Sequence, residues 1–307
     1  MEFGTVALNV ALVLAYAIPG YLFIKTKFLK ESAIPILSKV LLYFCQPCLS
    51  IYSLQKVVFS TELFLNMLLF FGMSVVLQIG FIALLRVVYC KKNAEARYRI
   101  AMVSPALGNV GFLGIPLLEA LLPQNPEAVA YAAMFIIALN VTSWTIGAYI
   151  ITGDKSFIKP KKILLNPPVL TLFISLPLFF TKTVLPTPLM NFITVPAKFT
   201  TALCMIILGM RFACADLKKM FGEPTVYIST AIKLIIMPLC AFLITHWLPI
   251  DYVMKATIFI LCCCPSATVI LALSEINHSG GQMYAANTIL MSTLFCMVSI
   301  PLLLLLA

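Results

Sequence analysis

The chain has 307 residues, 62% of them hydrophobic and only 10% charged, with a mean hydropathy of +1.05. Soluble domains are about 45–50% apolar and about 25% charged, so a water-soluble enzyme, a nucleic-acid binder and a disordered chain are excluded. The net charge of +10 is read instead as that of a polytopic membrane protein, whose cytoplasmic loops are rich in Lys and Arg.

A crossing helix needs about 20 apolar residues. Apolar runs bounded by charge, Pro or Gly place helices near 6–24, 34–54, 63–89, 99–121 and 128–151. After a basic hydrophilic stretch at 153–166, five more follow near 167–184, 196–214, 224–247, 252–274 and 283–306. The start carries Glu2 and no basic segment, unlike a cleaved signal. Counting Lys and Arg by alternate loops sets Lys25, Lys27, Lys30, Lys39, Arg86, Lys91, Lys92, Arg97, Arg99, Lys155, Lys159, Lys161, Lys162, Arg211, Lys218 and Lys219 on one side. Lys56, Lys182, Lys198 and Lys255 fall on the other, and Lys233 falls inside a span. Sixteen against four puts the basic loops in the cytoplasm and both termini outside a plasma (inner) membrane. The ten cysteines sit mostly in apolar runs, three of them consecutive (Cys262, Cys263, Cys264), and read as small buried hydrophobes. His246 and His278 form no ligand cluster, and no nucleophile–base pattern supports an enzyme.

Ten spans divide as five and five: residues 1–152, a cytoplasmic linker loop at 153–166, and residues 167–307. An odd-numbered duplicated half inserts upside down, as in transporters built from inverted repeats. Pro19 and Pro105 are 86 residues apart in the first half; Pro177 and Pro265 are 88 apart in the second. This pairs the fourth and ninth spans, and both have unusual chemistry. The fourth reads Ser104-Pro105-Ala106-Leu107-Gly108-Asn109-Val110-Gly111-Phe112-Leu113-Gly114-Ile115-Pro116, and the ninth contains Cys264-Pro265-Ser266-Ala267-Thr268. Proline removes a backbone donor, and unpaired backbone at that depth survives only inside protein or beside a cavity. Two broken helices in corresponding positions mark a transport site, and half-helix N-termini suit an anion. The alternative is a pair of ordinary proline kinks packed by neighbours.

The run Gly108 to Leu118 resembles the fourth-span signature of the auxin efflux carrier family, which includes bacterial organic-acid permeases and plant auxin exporters. Leu37-Ser38-Lys39 with Pro47, Leu208-Gly209-Met210 with Leu217, Lys233 through Pro238, and Ser292-Thr293-Leu294 through Pro301-Leu302 resemble its second, seventh, eighth and last spans. The resemblance implies an all-α fold of ten transmembrane helices as two inverted five-helix repeats, like the bile-acid symporters and NhaA. Helices 4 and 9 would be broken and crossed. Helices 1, 2, 6 and 7 would be a scaffold, helices 3–5 and 8–10 a moving transport domain, and the carrier a homodimer moving an organic anion by an elevator mechanism. Gly108 stands where plant members have Pro, and the long cytoplasmic loop of many plant exporters is missing. Both departures point to the bacterial organic-anion branch.

Asn109, with amide donors and an acceptor, is the first substrate-binding candidate; its other role is to cap the second half-helix. Gly108, Pro105, Pro265, Ser266 and Thr268 complete the two breaks. Asn140 opens a polar patch through Trp144 in the fifth span and either binds substrate or bonds a neighbouring helix. Gln46 faces the substrate if the scaffold lines the cavity. Lys233, about 14 Å along its helix from Pro224 by helical rise, is the charge nearest mid-bilayer, and such a charge is a functional candidate by default. It would attract the anion, stand where a coupling cation sits, or hold a carboxylate or helix carbonyls. Asn287 is the counterpart of Asn140 in the second half. No cofactor is implied, and coupling to H+ or Na+ stays open. The leading expectation is a secondary carrier of a small carboxylate such as malate, malonate or an auxin-like acid. A sodium-coupled bile-acid-type symporter would need acidic ligands at the crossing, and none is visible. A membrane sensor module would need a fused signalling domain, and a channel would not need paired breaks.

Overall fold

A chain with few polar side chains must satisfy its backbone internally, and a helix does so within one segment. The computed structural model describes residues 8, 11–13, 15–57, 59–154, 167–214, 220–276 and 280–305. It is 82% helix, with no strand among the described residues. We name α1 (Ala17–Lys25), α2 (Ala33–Gln55), α3 (Thr61–Val88), α4a (Ala96–Val103), α4b (a π turn at Val110–Gly114 continued by Ile115–Leu121) and α5 (Glu127–Thr152). The second half holds α6 (Pro167–Phe180), α7 (Thr187–Cys214), α8 (Pro224–His246), α9a (Tyr252–Cys263), α9b (Val269–Ile276) and α10 (Gln282–Leu304).

Six of these, α2, α3, α5, α7, α8 and α10, are long and apolar enough to cross a membrane. The remaining expected crossings are the shorter α1 and α6 and the two-piece α4 and α9. α7 starts nine residues before the expected 196 because Pro196 lies inside the helix instead of opening it. Thr200 Oγ1 there donates to the Pro196 carbonyl (3.0 Å) and to the Cys45 carbonyl of α2 (3.3 Å), tying α7 to α2 one turn beyond the proline. α6 ends at Phe180, short of the expected 184, where Lys182 takes a left-handed φ of 53°. α5 ends at Gly153, with φ 75°, a conformation natural to glycine. Linker residues 155–166, His278, Lys218 and Lys219 lie outside the described residues.

Proline also explains a feature the apolar pattern does not foretell. Three π turns, Leu41–Cys45, Val110–Gly114 and Ile232–Ile236, are each followed by a proline at the second position beyond: Pro47, Pro116 and Pro238. In an α-helix a proline ring clashes with the carbonyl four residues back. Those residues, Tyr43, Phe112 and Leu234, are the central residues of the three π turns. The widened turn makes room for the ring without ending the helix. A fourth π turn, Ser143–Gly147 in α5, has no proline; Ser143 Oγ donates to Leu139 O and Thr145 Oγ1 to Val141 O there.

α4a, α5 and α9a are the most enclosed helices, whereas α3 and α8 turn residues such as Val76, Leu84, Leu243 and Ile244 outward. Packing between membrane helices relies on close approach of small residues, and α1 and α7 do this reciprocally. A Cβ on Gly20 would overlap the Ile206 carbonyl, and one on Gly209 would overlap the Ala17 carbonyl.

Candidate functional site

Ser104–Ala106 forms a short 3-10 turn at the end of α4a, and Leu107 is then extended (φ −106°, ψ 112°). Cys264 does the same after α9a (φ −63°, ψ 146°). Each break frees backbone groups, and each serves the other. The Asn109 N–H donates to the Pro265 carbonyl (2.7 Å) and the Ala267 N–H donates to the Leu107 carbonyl (2.9 Å). Gly108 and Ser266 thus form an antiparallel bridge. Ser104 Oγ donates to Ser266 Oγ (3.1 Å), and the Ser266 N–H donates to Ser292 Oγ of α10 (3.1 Å). The backbone accounting that a buried break demands is met at these atoms by the partner break and by α10.

Beyond the bridge the chain re-enters helix as α4b and α9b. Their first residues line one cavity of about 240 Å3, together with Gln46 from α2 and Ile136, Leu139, Asn140 and Trp144 from α5. Gly108, Asn109, Val110 and Gly111 come from one break and Ala267, Thr268 and Val269 from the other. The first N–H groups of a helix have no intrahelical acceptor and carry a positive partial charge; here two such ends converge. The polar side chains around the cavity are all uncharged: Gln46, Asn109, Asn140, Trp144 and Thr268. Gln46 is 2% exposed and its Oε1 has no hydrogen-bond partner. Asn140 Nδ2 donates to the Ile136 carbonyl (2.8 Å) of its own helix. Gly111 lets α2 approach, since a Cβ there would lie 3.3 Å from Gln46 Nε2.

Gly108, Asn109, Asn140, Thr268 and Gln46 therefore share this cavity. Pro105, Pro265 and Ser266 are buried behind it and shape the breaks. Lys233 lies in the π turn of α8, 1% exposed, and does not line the cavity. Its Nζ sits behind the first break, 3.3 Å from the point where a Cβ on Gly108 would be; the Leu261 carbonyl near the end of α9a is 3.2 Å from that point. Among the described residues no carboxylate pairs with it.

Asn287 belongs to a different space, a cavity of about 640 Å3 between α2, α7, α9b and α10 whose walls include Glu31, Lys39, Arg211 and Glu275. Sequence reasoning missed this charged cavity, because its four charges come from three stretches far apart in sequence: residues 31–39, α7 and α9b. It also missed Gly111 and Trp144 as lining residues; Trp144 could have been found one helical turn after Asn140, on the same face. Among the described residues no three His, Cys, Asp or Glu side chains converge on a metal position, and all ten cysteines are free.

A family model described as membrane transport protein matches residues 5–304. No curated protein matches the chain.

Proposed function

Given that the chain belongs to the membrane transport protein family, that of the auxin efflux carriers, we propose that it is a secondary carrier of a small organic anion, a mono- or dicarboxylate, working by alternating access of the elevator type. The observation that carries the reading is the convergence of two half-helix N-termini and Asn109 on one cavity of about 240 Å3. Helix N-termini hold carboxylates and phosphates with backbone N–H groups, so an anion is stabilised there without a positive side chain in the cavity wall. The amides of Asn109 and Gln46 and the Thr268 hydroxyl add directional donors, and the walls of Ile136, Leu139, Val269 and Ala272 suit a short carbon skeleton.

In this reading the chain crosses the membrane ten times as two inverted repeats with both termini extracytoplasmic, and functions as a homodimer. The paired breaks are the crossing point, α1, α2, α6 and α7 form the scaffold, and the remaining helices carry the site. Gln46 then contributes from the scaffold side, so that movement of the other unit releases the anion. Lys233 places its Nζ behind the breaks, where a sodium-coupled relative would need a cation. This favours an organic-anion carrier over a sodium symporter.

The test is a proteoliposome uptake screen of small carboxylates, with and without sodium and across pH. At least one carboxylate should be transported, and Asn109→Ala should lower its uptake at least tenfold while thermal unfolding stays unchanged. Normal uptake by Asn109→Ala would overturn the site assignment; no transport of any carboxylate would overturn the substrate class.

A further inference from the structure

A second site stands apart from the breaks, on the outer face of the molecule. Between α3 and the C-terminal end of α8 runs a groove of about 560 Å3 whose walls, Val76, Leu84, Ile244 and Ile258 among them, are almost wholly apolar. Its α3 wall extends from Met73 to Leu84, which at about 1.5 Å per residue is about 16 Å. That is about half of a 30 Å hydrocarbon core, the depth of one leaflet. Gly80 opens the floor: a Cβ there would meet no atom within 4 Å.

Thr245 lines both this groove and a smaller cavity of about 270 Å3 whose walls include His246, Tyr252 and Lys255. The Lys255 ammonium donates to the His246 carbonyl at the end of α8 (3.3 Å) and keeps two further hydrogens to give. The nearest acidic residue in sequence, Asp251, spends Oδ1 capping α9a at the Met254 N–H (2.7 Å). Trp247, 84% exposed, and Tyr252, 61% exposed, flank this mouth. Such aromatic residues mark the headgroup level of a bilayer. The basic mouth and the aromatic belt therefore lie at one level, with the apolar groove leading away from them.

We propose that these two adjoining cavities bind an anionic phospholipid, with an acyl chain along the groove past Gly80 and the phosphate at Lys255, Tyr252 and His246. A small carboxylate would leave its charge unpaired in the groove, and a helix of a second copy would leave the basic mouth without an acceptor. The site shares no residue with the cavity at the breaks, so it stands whether or not the proposed transport reaction is correct.

The experiment is native mass spectrometry and thermal unfolding of the delipidated full chain with phosphatidylglycerol, phosphatidylcholine or inorganic phosphate. Wild type should retain phosphatidylglycerol at least fivefold better than phosphatidylcholine, and inorganic phosphate alone should not reproduce the thermal shift. Gly80→Phe, filling the groove, should lose retention of both lipids. Gly72→Phe should behave as wild type, since Gly72 is equally open but outside the groove. Lys255→Glu should keep chain binding and lose the preference for phosphatidylglycerol, and it tests the proposal even if Gly80→Phe fails to fold. Equal retention of the two lipids by wild type, unchanged selectivity in Lys255→Glu, or full stabilisation by free phosphate would each overturn the assignment. So would a dimer that Gly80→Phe dissociates while lipid binding persists.

Discussion

Replacing Gly209 by alanine tests how α1 and α7 are joined. The new methyl would fall on the Ala17 carbonyl, well inside the 3.0 Å that real Cβ contacts respect, and the next atoms on its path are also backbone: Ala17 C at 2.7 Å and Tyr21 N at 2.9 Å. No rotamer change relieves such an overlap, so the helices must part by about an ångström or lose register. Overpacking of this kind costs about 1–3 kcal/mol, and rigid backbone on both sides places it at the upper end, about 3 kcal/mol. At about 2–4 °C per kcal/mol for a chain of this size class, the unfolding midpoint should fall by about 6–12 °C. Gly72→Ala is the control: nothing lies within 4 Å of its Cβ, so only the helix-propensity gain of about 0.5–1 kcal/mol remains. Intrinsic tryptophan fluorescence during a thermal ramp in detergent measures both. Gly20→Ala should resemble Gly209→Ala, and the double variant should cost clearly less than the sum, because the helices part only once. A Gly209→Ala protein as stable as Gly72→Ala would refute the close approach.

Ser266→Ala removes the acceptor of the buried Ser104 hydroxyl and should cost about 1–3 kcal/mol in thermal unfolding, most of it recovered in the Ser104→Ala/Ser266→Ala double variant. Lys233→Met should leave stability unchanged or raise it by about 1 kcal/mol, since a buried ammonium without a carboxylate partner is costly, while carboxylate uptake is lost; a marked drop in the unfolding midpoint would make the ammonium a counter-charge to helix carbonyls instead. Lys56 ion-pairs with Glu119 at 3.0 Å. Burial works against its ammonium, but Tyr52, whose ring it covers at 4.1 Å, and Glu119 outweigh this and raise its pKa above the ordinary 10.5. The pair's contribution is therefore complete below pH 10.5 and lost as pH rises through the higher folded value. With both side chains a third or more exposed it is worth at most about 1 kcal/mol, so wild type should lose up to that much more stability than Lys56→Met on alkaline titration.

The two breaks are legible in the sequence because Pro105, Gly108, Asn109 and Pro265 interrupt apolar runs at mid-span, where an uninterrupted helix has no use for them. Asn140 and Gln46 stand out for the same reason. The direction in which each polar side chain faces is harder to read. Lys233 shows its depth by counting from Pro224, but it sits in a π turn, and one extra residue rotates everything beyond it by about a hundred degrees from the helical wheel. The clue was present: Pro47, Pro116 and Pro238 lie inside otherwise continuous helical patterns, and a widened turn is one way for such a helix to continue. Arg211 and Glu275 are readable as charges near span ends, but their sharing a cavity with Lys39 and Asn287 depends on packing between four helices, which periodicity within one helix does not carry.

The bridge between the breaks also constrains the order in which the molecule can be completed. The Asn109 N–H and the Leu107 carbonyl find their partners only at Pro265 and Ala267. A ribosome inserting this chain therefore delivers a first half in which these polar groups lack their acceptors and donors until Pro265 and Ala267 emerge. Each such group in hydrocarbon costs several kcal/mol, so the early spans wait in a partly open arrangement or under the cover of the insertion machinery. The two breaks are far apart in sequence, yet neither can be finished alone.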